Sequence, residues 1–212
     1  MLILVKLLDF VKLIFYLCLG SKTAWLIGSS IVYWAHKRAL VRTGGKDLGL
    51  QSRGVALKWF GFRGMLWKDL TARVEEKLKA LPPPFMLFIQ LGSNDIGNIK
   101  ACELIDDIKR DILRIRLLLP ETRIIWSDIL MRRYWHVADD GKAVELARKR
   151  VNTAINTFMR EDNHCATINH LNIRAREKTL YRFDGTHLSD DGNDIYLNNI
   201  QGGFERFMSE IC

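Results

Sequence analysis

"FMLFIQLG", residues 85–92, is the stretch that decides the fold. Its apolar residues run on without the polar alternation of a strand that has one wet face. Such a run predicts a strand buried on both faces, as in the middle of a parallel sheet. Its flanks agree. Residues 65–81, "MLWKDLTARVEEKLKAL", carry a helical spacing that Pro82, Pro83 and Pro84 stop. Residues 101–119, "ACELIDDIKRDILRIRLLL", form a second amphipathic pattern, closed by Pro120. A buried strand set between two helices is the repeating unit of a parallel α/β sheet.

The same alternation continues outward. "AWLIG", residues 24–28, reads as a short buried strand, and residues 30–42 follow it as a helix that the glycines of "TGGKDLG" break. Residues 55–61, "VALKWFG", and 122–128, "TRIIWSD", read as further strands. A loop over 129–141 leads to a helix over 142–161, then to a fifth strand in "CATINH", residues 165–170. Residues 191–211 close the chain as a helix. The prediction is an α/β fold: a three-layer α/β/α sandwich, flavodoxin-like, with about five mostly parallel strands and helices on both faces.

Length and composition fit one such domain. The chain has 212 residues, 48% hydrophobic and 26% charged, enough for a full core without disordered tracts. The net charge of +8 admits nucleic acid or anionic membrane as partners, but the basic residues are scattered along the predicted helices and loops. Cys18, Cys102, Cys165 and Cys212 lack the close spacing of a zinc or redox pair and read as reduced thiols, which favours the cytoplasm. Residues 1–22 are set apart as an apolar segment from a domain over 23–212. Lys6, Asp9 and Lys12 interrupt that segment, leaving an apolar run too short for a plain transmembrane helix. A signal peptide (and so secretion), an amphipathic helix and a gene-model artefact all stay open for it.

In sheets of this kind functional groups gather at the carboxyl ends of the strands. The first strand ends at Gly28-Ser29-Ser30, the second in "FGFRG", residues 60–64, and the third in Gly92-Ser93-Asn94-Asp95. After the fifth comes Asp184-Gly185-Thr186-His187. One edge thus collects a hydroxyl, flexible backbone amides, a carboxamide, a carboxylate and an imidazole. A serine needs a base, the base needs a partner to fix its tautomer, and an oxyanion needs preset donors. These are the parts of an acyl-transfer site.

In that order the four blocks resemble those of the SGNH hydrolases, the GDSL-like esterases, from about residue 24 to the C-terminus. The wording of "SDILMRRYW" and "FDGTHLSDDGNDIYLNN" is similar to SGNH-type domains of vertebrate retroelements and gene models derived from them. The resemblance implies a serine esterase acting on a small-molecule, glycan or lipid acyl ester, acetyl esters among them, with no cofactor and no metal. It places the nucleophile on Ser30, the base on His187 and its orienting carboxylate on Asp184. The oxyanion hole falls on the Ser30 amide, Gly64 (with Gly61 as the alternative) and Asn94. Ser29 stands where the family has Asp. Ser29, Arg132, Arg133 and Trp135 are candidates for the substrate cleft. Residues 28–32, GSSIV, lack the Gly-x-Ser-x-Gly elbow of the other common serine-esterase fold.

The competing readings are structural. Gly-Ser-Ser also suits a strand turning into a helix with a serine cap. A catalytically degenerate module serving binding or assembly is the second functional reading, and its motive is the basic charge. His36 and His136 read as partly exposed residues. His164 and His170 fall on one face of the predicted fifth strand, with no third ligand. "SDDGND", residues 189–194, reads as a serine-capped, acidic helix start.

Overall fold

A computed structural model describes residues 22–136 and 140–209. The readings made for residues 1–20 lie outside the described residues. Five strands alternate with five α-helices: β1 (Lys22–Gly28), α1 (Ser30–Ala39), β2 (Val55–Gly61), α2 (Leu70–Leu78), β3 (Met86–Gln90), α3 (Ala101–Leu118), β4 (Arg123–Ser127), α4 (Gly141–Met159), β5 (Cys165–Ile168) and α5 (Asp190–Ser209). They form one sheet in the order β2-β1-β3-β4-β5, and every pairing is parallel. This is the doubly wound arrangement with its switch point between β1 and β3.

The apolar runs divide between two cores by the strand's period of two. Ala24 and Leu26 of β1, with Phe88 of β3 and Ile125 of β4, pack under α1 and α5, against Val32, Ala35, Tyr196, Leu197 and Phe204. Trp25, Ile27, Leu87, Ile89 and Trp126 point the other way, under α2, α3 and α4, against Val74, Ile108 and Ile155. That is why β1 and β3 show no polar alternation: both of their faces are covered.

Several elements differ in extent from the sequence reading. The helix expected over 65–81 begins at Leu70 after a 3₁₀ turn at Trp67–Asp69. Met65 and Trp67 are core residues, and the Trp67 amide donates to both oxygens of Asp95 at 3.1 Å, which holds the segment out of the helix. The first helix stops at Ala39 rather than residue 42, and the fifth strand stops at Ile168 rather than His170. Ser189 caps α5 as read: its Oγ accepts the Gly192 amide at 3.1 Å.

Candidate active site

β1 delivers Ser30 to the first turn of α1, where backbone amides have no intrahelical acceptor and the helix dipole favours negative charge. Two close approaches shape this turn. A Cβ on Gly28 would lie 2.5 Å from the Gln90 carbonyl oxygen, so the first strand ends tightly against the third. A Cβ on Gly61 would collide with the backbone of Tyr33 in α1. Gly61 is therefore a packing residue beneath the helix. Gly64, at φ +76°, has open space beside its Cα and lines the same cavity as Ser30. Between the two glycines that the sequence left open, it is Gly64 that the cavity reaches.

After β5 the chain turns through Asp184–His187. The Asp184 Oδ1 accepts the amides of Thr186 at 2.8 Å and His187 at 2.9 Å, so the carboxylate fixes its own turn. Its Oδ2 meets the His187 Nδ1 at 2.7 Å. The other ring nitrogen, Nε2, lies 3.0 Å from the Ser30 Oγ. Burial pushes the Asp184 carboxyl up. The hydrogen bonds from the His187 ring and from the His187 and Thr186 amides outweigh it and hold the group at about 2. An ionised carboxylate can only accept, so the neutral ring carries its proton on Nδ1 and leaves Nε2 to accept from the serine hydroxyl.

Asn94 approaches from the turn after β3. Its Nδ2 donates to the Met65 carbonyl at 3.2 Å, and its Oδ1 accepts from the Arg132 Nη2 at 2.9 Å. Ser30, Arg63, Gly64, Asn94, Thr186 and His187 together line an open cavity of about 440 Å³. Asp95 beside it faces inward. Burial raises its carboxyl, and its partner is the Trp67 amide, so it secures the fold rather than the cavity.

None of the four cleft candidates is among the residues that line the Ser30 cavity. Ser29 is 1% exposed, and its Oγ has no hydrogen-bond partner among the described residues. It occupies the N-cap position of α1 without making a cap bond, so the structural reading of a serine cap holds in position but not in hydrogen bonding. Arg132, Arg133 and Trp135 line a neighbouring cavity against the start of α4. Trp135 is buried in the core, and the Arg132 guanidinium lies 5.0 Å from its ring. Burial lowers the Arg132 guanidinium to about 10, against the opposing pull of the negative Asp184, so it remains a cation at neutral pH.

Sequence reasoning missed Arg63 and the part played by the loop after β4. Arg63 lines the cavity, and its only signal was its place beside Gly64. The loop after β4 clamps the Asp184 turn. The amides of Arg133 and Tyr134 donate to the Gly185 carbonyl at 2.8 and 3.4 Å, and the His136 Nε2 lies 2.9 Å from the Asp184 carbonyl oxygen. Gly185, at φ +63°, has no room for a Cβ against the Tyr134 ring. The remaining histidines part company. His164 is exposed beside Asp162. His170 is buried, with its Nε2 2.9 Å from the Ser127 Oγ and its Nδ1 3.0 Å from the Asn199 Nδ2. Among the described residues no three His, Cys, Asp or Glu side chains gather as a metal site.

No protein-family model matches the sequence, and no curated protein is significantly similar to it. Solved structures do share the fold. A GDSL-like lipase from Bacteroides thetaiotaomicron superposes with a TM-score of 0.69 at 16% identity, over 88% of this chain and 89% of its own. A carbohydrate esterase of family 3 from Talaromyces cellulolyticus gives 0.63 at 15% identity, over 90% of this chain and 100% of its own. A variant of an acetyl-xylooligosaccharide esterase from Geobacillus gives 0.65 at 19% identity, over 85% of this chain and 93% of its own.

Proposed function

We propose that this chain is a serine hydrolase of the SGNH type that cleaves O-acyl esters, acetyl esters of glycans or small alcohols foremost. One observation carries the reading: the His187 ring spans Ser30 and Asp184 at 3.0 and 2.7 Å, at a cavity that Gly64 and Asn94 also line. The esterases among the structures that share the fold support it and supply the acetyl and glycan preference.

The chemistry follows from the geometry. His187 takes the Ser30 proton through Nε2 as Oγ attacks the ester carbonyl. The charge that appears on the ring is balanced by Asp184 across Nδ1. The carbonyl oxygen becomes an oxyanion among the amides of Ser30 and Gly64 and the Asn94 Nδ2. His187 returns its proton to the departing alcohol and leaves an acyl-serine. Water, deprotonated by the same nitrogen, then releases the acid and restores Ser30. No step calls for a metal or a cofactor.

The test is labelling by a fluorophosphonate probe together with hydrolysis of p-nitrophenyl acetate. Ser30→Ala should abolish labelling, and Ser30→Ala and His187→Ala should each lower turnover by roughly 10⁴-fold or more. Turnover that survives both substitutions would overturn the reading.

A further inference from the structure

Arg132 is placed unlike the surface arginines. It is part-buried, it forms no ion pair among the described residues, and one nitrogen, Nη2, donates to both the Ser93 Oγ and the Asn94 Oδ1 at 2.9 Å. The Trp135 ring backs its guanidinium. A desolvated cation without a carboxylate partner is costly to keep. Here it sits directly behind the carboxamide that borders the catalytic cavity.

The bond network allows that carboxamide a single orientation. If the Asn94 amide were flipped, its NH₂ would face the Arg132 donor and its oxygen would face the Met65 carbonyl oxygen, two like-sign contacts at hydrogen-bond distance. In the observed orientation one Nδ2 hydrogen goes to Met65 and the second has no acceptor among the described residues. The same loop holds the other half of the site, through the Arg133 and Tyr134 amides on Gly185. One hexapeptide, residues 131–136, therefore sets the carboxamide and the Asp184–His187 turn against each other.

We propose that Arg132 is the positioning residue of the oxyanion hole: it locks the Asn94 amide with its free Nδ2 hydrogen toward the substrate's carbonyl oxygen and adds positive potential behind it. This rests on the ester-hydrolase reading above. Arg132 touches no reacting atom; it acts through Asn94.

A double-mutant cycle tests it, with kcat and KM measured on p-nitrophenyl acetate for wild type, Arg132→Met, Asn94→Ala and the pair. Arg132→Met should lower kcat about tenfold or more with KM within about twofold, and Asn94→Ala about 10²–10³-fold. In the Asn94→Ala background the Arg132→Met loss should shrink to about twofold or less, because the residue it acts through is gone. Arg132→Lys, which keeps the charge, should recover at least a threefold part of the loss. An equal Arg132→Met loss in both backgrounds, or a loss confined to KM, would overturn the proposal. A second readout does not depend on turnover. The Asn94 side-chain amide signals of the ¹⁵N-labelled protein should shift in Arg132→Lys as well as in Arg132→Met, and signals that stay in place would overturn the lock. A wild-type chain that hydrolyses no ester would remove the ester-hydrolase reading, while the amide signals would still decide whether Arg132 holds Asn94.

Discussion

Ser29 and Ser30 share a peptide bond and meet opposite surroundings. The Ser30 hydroxyl opens on the cavity and meets His187 at 3.0 Å. The Ser29 hydroxyl is enclosed between strand and helix with no partner among the described residues. An enclosed, unpaired hydroxyl costs folding free energy, so its removal is neutral or mildly stabilising. Ser29→Ala should therefore change the unfolding free energy by about 0 to +1 kcal/mol in the stabilising direction and leave labelling by a fluorophosphonate within about twofold. Urea denaturation and labelling rates check both. A large loss of labelling with unchanged stability would mean that Ser29 serves the site. The sequence made the pair visible but not their environments, because nothing local records which hydroxyl the helix start turns outward. Asn94, Asp184 and His187 were legible since each lies in a short motif, Asn94 just after β3 and the other two in the segment that follows β5. Arg132 was legible only as a nearby cation. Its bond to Asn94 joins residues 38 apart, beyond any local pattern.

At the level of elements, the strands could be read because burial on both faces leaves continuous apolar runs. Helix boundaries were harder, since core residues ahead of the α-helix, such as Met65 and the 3₁₀ residue Trp67, carry the same spacing as a first α-helical turn. The loop after β4 has no periodicity at all, and its backbone bonds to Gly185 tie segments about 50 residues apart. The connection after β2 offers the sharpest test. Gly61 abuts the backbone of α1, so a methyl group there must push a helix off the sheet. Gly61→Ala should cost about 1–3 kcal/mol of stability, as overpacking does. Gly64 has room for a methyl but sits at φ +76°, where an L-residue is strained by about 1–2 kcal/mol. Relief of that strain turns the Gly64 amide away from the cavity, so Gly64→Ala should slow fluorophosphonate labelling about tenfold or more for a similar or smaller loss of stability. If labelling falls in Gly61→Ala and not in Gly64→Ala, the oxyanion glycine is Gly61.

Across the whole molecule, one buried histidine ties the far side of the sheet together. His170 reaches Ser127 at the end of β4 and Asn199 on α5, and its ring lies 4.8 Å from that of Tyr196. Burial holds the imidazole down at about 3, so it stays neutral in the folded chain. In the unfolded chain it titrates near 6.5. The folded value is the lower one, so the unfolded state takes up the extra proton as the pH falls. Stability from this group is complete above about pH 6.5 and declines below it, until the folded imidazole also protonates near pH 3. One proton corresponds to about 1.4 kcal/mol of stability lost per pH unit across that window. The acid loss of stability should thus begin above the range of ordinary carboxylates, near pH 6. His170→Asn, which keeps a polar group beside Ser127 and lacks a titrating ring, should flatten the unfolding free energy between pH 6.5 and 4.5 in urea titrations at stepped pH. The Asp184 carboxyl, held at about 2, loses its stabilising bonds only as the pH falls from about 4 toward 2. Between pH 6.5 and 4.5 the His170 loss is therefore the only one of the two under way. A wild-type curve that is level from pH 6.5 to 4.5, or a His170→Asn curve as steep as wild type, would show that the ring is not held neutral in the core.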